Sequence, residues 1–253
     1  MAGWTESNGD LRRAILLSQD ITSDIYCLQE THLSDNFSNQ PSLDGYRWKG
    51  HCRTIRHTNA NRTHGGVGIF IRNSLYNDYN ISVLDDSYEG ILTMLFKDKI
   101  SNYSFIVHCL YLPPESSPYG RDNTAFFTHL LSLIYLHNYV DCTFLCGDIN
   151  ARISNKKDVI DAVDNIPERR VVDEGLNKHG DAFIDFLLEA RMAVTNGRIR
   201  GRNEYSSVTV RGKSLVDYFA IPHDNFNNCV SCDVYPVSEI IENSNLQSLI
   251  SEN

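Results

Sequence analysis

Several marks of specialised proteins are missing from this chain, and each absence narrows its class. No apolar stretch approaches the roughly 18 residues of a membrane span. The opening Met1-Ala2-Gly3-Trp4-Thr5-Glu6 lacks the basic-then-apolar layout of a signal peptide. An intracellular protein without membrane association, nuclear or cytoplasmic, is the expectation. Positive charge is also short: 23 Lys and Arg face 32 Asp and Glu, for a net charge of −9. That balance disfavours tight non-specific nucleic-acid binding, which needs clustered cations against phosphates, but leaves room for a local basic rim. Two basic groups exist, one of His51, Arg53, Arg56, His57, Arg62 and His64, the other of Arg198, Arg200, Arg202 and Arg211. Each taken singly reads as a solvated loop.

Paired cysteine motifs are scarce as well. The seven cysteines are an odd number, and Cys27, Cys109, Cys142 and Cys146 sit in apolar, strand-like runs where small buried thiols are common. Cys229-Val230-Ser231-Cys232 has the C-x-x-C form but no second pair nearby, so reduced thiols are expected rather than zinc or redox chemistry. No repeat and no Pro/Gly/Ser-rich linker divides the 253 residues. A single strand-rich α+β domain spanning 1–253 is the expectation.

Apolar periodicity marks the elements. Leu11 to Gln19 reads as an amphipathic helix, followed by a strand over Asp24 to Gln29 and a polar loop to about Gly45. Further strands are expected from the Gly65-Gly66 turn to Arg72, over Ile91 to Phe96, and over Tyr103 to Leu112 before Pro113-Pro114. Asn123 to Asn138 and Asp181 to Arg191 have helical periods, with an apolar strand over Cys142 to Cys146 between them and a charged segment over Asn155 to Gly175. Tyr205 to Thr209 and Leu215 to Ile221 are the last strands expected.

Three acids stand in apolar company. Glu30 follows Ile25-Tyr26-Cys27-Leu28-Gln29, Asp148 follows Thr143-Phe144-Leu145-Cys146-Gly147, and Asp217 lies inside Leu215-Val216-Asp217-Tyr218-Phe219. A carboxylate there is costly unless paired, hydrogen-bonded or bound to a cation. Three in one domain point to a convergent metal and acid–base site. Gly147-Asp148-Ile149-Asn150 adds an amide two residues beyond the acid, with Gly147 allowing close approach, an arrangement suited to water activation. Tyr111, where a strand leaves the core, has a hydroxyl that can donate to an oxyanion. His108 falls on the opposite strand face and reads as structural.

These motifs carry a resemblance. Ile25-Tyr26-Cys27-Leu28-Gln29-Glu30-Thr31-His32-Leu33, Gly65-Gly66-Val67-Gly68, Tyr111-Leu112-Pro113-Pro114, Gly147-Asp148-Ile149-Asn150-Ala151 and Ser214-Leu215-Val216-Asp217-Tyr218 occur in the order of the endonuclease/exonuclease/phosphatase superfamily. The chain resembles it over almost its whole length, and Thr195-Asn196-Gly197-Arg198 is most similar to the endonuclease domain of non-LTR retrotransposons. The resemblance implies a four-layer α/β sandwich, two packed and mostly antiparallel sheets flanked by helices. It implies Glu30 as ligand of a divalent metal, Mg²⁺ or Mn²⁺, and Asp148 aligning or deprotonating the attacking water. It further implies Asn150 holding water or phosphate, Tyr111 donating to the phosphate and Asp217 orienting a histidine. DNA is the implied substrate, with a reverse-transcriptase domain in the parent polypeptide.

Two parts of the family pattern are not found. One is a strand ending in an Asn ahead of the first helix; the other is a closing Asp-His pair. His223 follows Asp217 too closely to replace that histidine, and neither Glu239 nor Glu242 precedes one. A domain incomplete at both termini, its terminal strands missing, with weak or absent activity, is therefore expected. Beside DNA nicking stand two other readings: a phosphomonoesterase or phospholipase of the same superfamily, and a catalytically dead binding remnant.

Overall fold

Period-two apolar runs place alternate side chains on opposite faces of a strand, so each run needs cover on one face or both. In the computed structural model, which describes residues 13, 15–16, 23–33, 40–52, 65–120, 122–161, 163–210 and 212–235, that cover comes from a sandwich. Strands β1 (Ile25–Gln29), β2 (Tyr46–His51) and β3 (Val67–Arg72) form an antiparallel sheet in the order β1-β3-β2. Strands β4 (Tyr79–Asp85), β5 (Ile91–Asp98), β6 (Ser104–Tyr111), β7 (Cys142–Asp148) and β8 (Met192–Val194) belong to a second sheet. A short hairpin of β9 (Ser207–Thr209) and β10 (Gly212–Ser214) then leads to β11 (Asp217–Pro222). The second sheet runs β4-β5-β6-β7-β11-β8 and is antiparallel except where β6 pairs parallel with β7.

The sheets meet through Val67, Ile69 and Ile71 on one side and Leu92, Met94, Phe96, Val107 and Cys109 on the other. Helices α1 (Asn123–Leu136) and α2 (Lys178–Ala190) cover the far face of the larger sheet, where Phe126, Leu130, Phe183 and Leu187 pack on Leu110 and Leu145. Asp122 caps α1 by accepting from the Ala125 amide at 3.0 Å, and Asn177 caps α2 by accepting from Gly180 at 2.8 Å. The expected helix over 181–191 begins earlier because of that asparagine. Arg13, Ile15 and Leu16 are helical, and Leu16 packs on Tyr26 and Phe70 across the far face of the smaller sheet. These are the four layers of the expected sandwich. The rest of the expected first helix lies outside the described residues, as does the basic stretch from Arg53 to His64.

The smaller sheet, three strands wide among the described residues, does not cover the six-stranded one. A cavity of about 570 Å³ lies between β1, at Ile25, Cys27 and Gln29, and the apolar floor of Phe105, Phe144 and Phe219. Gly147 and Asp217 close one end of this groove.

Thr195-Asn196-Gly197-Arg198 is a brace rather than a surface loop. The buried Asn196 amide donates to the Asp217 carbonyl at 3.0 Å and accepts from the Phe219 amide at 3.1 Å, continuing the β8-side edge of β11 beyond the short strand. Arg198 corrects the reading of its basic group as solvated: its side chain is 2% exposed and makes a two-pronged bond to Asp158, at 2.7 and 2.6 Å. Asp158 also accepts from the Val194 amide at 2.9 Å, so the ion pair ties the 155–175 segment to β8. Arg198→Ala leaves a buried, unpaired carboxylate and is expected to lower unfolding free energy in urea by about 3–5 kcal/mol. The Asp158→Asn, Arg198→Met double variant should lose clearly less.

Candidate active site

Sheet register assembles the site. In the parallel β6–β7 ladder Tyr111 stands opposite Asp148, and in the antiparallel β7–β11 ladder Asp148 stands opposite Asp217. Adjacent strands lie about 4.8 Å apart, so the three side chains form one row on one face. Phe144, Cys146 and Phe219, of matching parity, line the groove between the sheets, so the row faces the smaller sheet. From that sheet β1 delivers Glu30, whose Oε1 accepts from the Tyr111 hydroxyl at 2.7 Å.

Glu30 reaches this position through an unusual backbone. Its φ is +51°, and that of His32 is +55°, left-handed values that side-chain-bearing residues adopt rarely. The Gly65-Gly66 turn stabilises the bend: Thr31 donates to the Gly66 carbonyl at 3.2 Å and His32 to the Gly65 carbonyl at 2.9 Å. Gly66 has φ +86°, and a Cβ there would stand 2.6 Å from the Thr31 hydroxyl. The glycine pair thus serves the metal-candidate loop rather than a ligand.

Gly147 has a similar explanation. A Cβ on it would lie 1.9 Å from the Leu110 carbonyl, so the close approach that this glycine allows is that of the β6 backbone. Beyond it the chain turns sharply, with Asn150 at φ +48°. Asp148 Oδ1 accepts from the Asn150 amide at 2.9 Å, while the Asn150 side chain donates from Nδ2 to the Leu112 carbonyl at 2.9 Å. The Asn150 amide oxygen makes no hydrogen bond to the described residues, and it stands at the rim of a second hollow.

Burial raises the Asp148 carboxyl well above its ordinary range, and the nearby Asp217 and Glu30 charges raise it further. Asp217 is also raised by burial, opposed by the Ser206 hydroxyl and reinforced by Glu30. Among the described residues no histidine bonds to Asp217. His223 begins the turn after β11 with its Nδ1 3.2 Å from Asp164. His108 is buried against Thr93, with Nδ1 2.9 Å from the hydroxyl, and burial lowers it to about 3, which leaves it neutral and structural. The seven cysteines are free thiols, including Cys229 and Cys232.

Two supports carried no sequence signal. Ser206 receives the Val216 and Asp217 amides at 3.0 and 3.2 Å. Asp173, buried beneath the turn after Asn150, binds Arg152 through both oxygens, at 2.9 and 2.5 Å.

A family model described as the endonuclease/exonuclease/phosphatase family matches residues 2–218. The chain belongs to that family. Similar solved structures include an AP endonuclease from Leishmania major, 15% identical, with a TM-score of 0.62 over 87% of this chain and 76% of that one. The endonuclease domain of TRAS1, a telomere-specific non-LTR retrotransposon, is 12% identical, with a TM-score of 0.54 over 85% of this chain and 80% of that one. A 3′ phosphatase from Neisseria bound to a product DNA hairpin is 16% identical, with a TM-score of 0.53 over 87% and 83%. No curated protein sequence matches this chain. At such identities these family structures share the fold.

The two raised carboxyls have a thermodynamic signature. With folded values above the ordinary carboxylate range of about 4, the native state holds protons more tightly than the unfolded chain. Their contribution is therefore favourable below that range and is lost as pH rises through the raised values. Asp148→Asn, which keeps the oxygen that accepts from Asn150, should raise the thermal midpoint at pH 8. The gain should shrink as pH falls toward 4. An unchanged midpoint at pH 8 would contradict a strained carboxylate pair.

Proposed function

We propose that this family member is a divalent-metal-dependent DNA-nicking domain of the retrotransposon type, within a parent polypeptide that carries a reverse transcriptase. The observation that carries this reading is the convergence of Glu30, Tyr111, Asp148 and Asp217 at one strand-end row. The similarity to the TRAS1 endonuclease domain and to DNA-acting structures supports DNA as substrate.

The donor chemistry suits a hard cation. Among the described residues no three His, Cys, Asp or Glu side chains gather as a closed metal cage. Mg²⁺ or Mn²⁺ held by Glu30 with water completing its shell fits an oxygen-only site, and when bound it would offset charge on phosphoryl oxygens. Asp148, its proton affinity raised by burial and by Asp217, is suited to receive the proton of the attacking water. Asn150, its amide plane fixed by Leu112, offers its oxygen to that water or its second N–H to the phosphate. Tyr111 donates to Glu30 in this state and is placed to donate to a phosphoryl oxygen. Asp217 sustains the proton affinity of Asp148, and no described histidine gives it an imidazole to orient.

Nicking of supercoiled plasmid should depend on Asp148 as the base, a role that commonly contributes about 10²–10⁴-fold to rate. It should require Mg²⁺ or Mn²⁺ and disappear in Glu30→Ala and in Asp148→Asn. Plasmid left intact by the wild type, or nicking that survives Asp148→Asn, would sink the reading and leave a binding remnant.

The apolar groove that ends at Gly147 and Asp217 favours a second reading, a phosphoesterase acting on a lipid. Sphingomyelin vesicles hydrolysed faster than plasmid is nicked, with Phe144→Asp abolishing only the former, would make it the better description.

A further inference from the structure

Arg152 lies two residues beyond Asn150, and its geometry exceeds what a structural ion pair needs. Asp173, only 6% exposed, accepts from Arg152 Nε and Nη2 and also from the Leu215 and Gly175 amides, both at 2.9 Å. Burial alone would raise the Asp173 carboxyl, but the bonds from Arg152 and these amides hold it below its ordinary range, so it stays anionic. The arginine is fixed in plane as well as position. A Cβ on Gly175 would stand 2.0 Å from the guanidinium carbon, so the group lies flat on the Gly175 backbone.

The grip on Asp173 uses one N–H on each of two nitrogens, out of five on a guanidinium. The three that remain have no acceptor among the described residues. The side chain is 39% exposed and lines a hollow of about 420 Å³ that shares Asn150 with the catalytic row. Ser116, Asn177 and Ser214 supply further polar groups to its wall. One other charge lines it, that of Glu115, which has the exposed Lys178 ammonium 3.9 Å away and accepts from the Lys178 amide at 3.3 Å. A rigid cation with unspent donors, in a polar hollow beside a candidate scissile position, matches a tetrahedral anion.

We propose that Arg152 is a positioning residue that grips a nucleic-acid backbone phosphate neighbouring the scissile one, so that the hollow is a flanking-phosphate subsite. This rests on the phosphodiesterase reading above. Such a contact orients the strand without reading its sequence. It also offers a net-acidic chain a way to hold a polyanion: one fixed cation at the site instead of a broad basic surface.

The test is the salt dependence of DNA binding, measured by fluorescence anisotropy on a short duplex in EDTA, where no cleavage occurs. Each phosphate contact contributes about 0.9 to the slope of log affinity against log salt. Asp173→Asn keeps the arginine charge and serves as reference. The Arg152→Gln, Asp173→Asn double variant replaces the ion pair by a neutral amide pair of similar volume, so both variants keep a hydrogen-bonded link. The double variant is expected to bind roughly three- to tenfold more weakly than the reference, with a slope shallower by about 0.9. Arg152→Lys should keep the slope of the wild type. Equal slopes in the reference and the double variant, with the wild type binding, would overturn the Arg152 assignment alone. A wild type without salt-dependent binding to DNA would overturn it together with the DNA reading.

Discussion

The parallel pairing of β6 with β7 is the constraint on which this molecule most depends. It is the one parallel step among the described pairings of the large sheet, and it passes through Gly147, where no side chain fits against the Leu110 carbonyl. That contact fits the observed register, and the register gathers the row: Tyr111 beside Asp148, and Asp148 beside Asp217. A slip of one residue would turn Asp148 toward the helices and Gly147 toward the groove. Packing and chemistry are therefore joined at a single glycine.

Gathering acids in this way has an electrostatic consequence. Asp148 and Asp217 lie in neighbouring strands, raised by burial, with Glu30 adding charge from across the sandwich. Such a cluster is uncomfortable when fully ionised and is relieved by a proton or by a cation. The surrounding bonds prevent relief by movement: Ser206 and Asn196 hold β11, Leu112 holds Asn150, and the Gly65-Gly66 turn holds the Glu30 bend. These bonds keep the three carboxyls close to one another.

The sequence made the row of acids legible because carboxylates in apolar strands need a reason, and three such reasons in one chain pointed to one place. The layer order followed from the resemblance, and long apolar runs such as β5, β6 and β7 were placed to within two residues of their observed ends. Polar strands were not seen. Tyr46–His51 and Tyr79–Asp85 alternate weakly, and Met192–Val194 is too short to show a period. The supports were hidden for another reason. Arg152 and Asp173 are 21 residues apart, and Asp158 and Arg198 are 40 apart, so nothing local marks either pair. The partner of Gly147 was hidden on the same ground, since the carbonyl it accommodates comes from another strand.

The narrow sheet has a consequence in colloidal terms. In the β1–β3 ladder, Arg72 donates to the Asp24 carbonyl, so Ile25, Cys27 and Gln29 turn their backbone groups away from β3, toward the groove. Among the described residues no strand pairs with that edge. A strand edge beside an apolar floor is adhesive, because a passing extended segment gains a hydrogen-bond ladder and a dry surface together. Charge opposes this: at −9 the molecules repel one another at low salt and approach more closely as salt screens them. Ionic strength therefore sets how closely two such molecules approach one another.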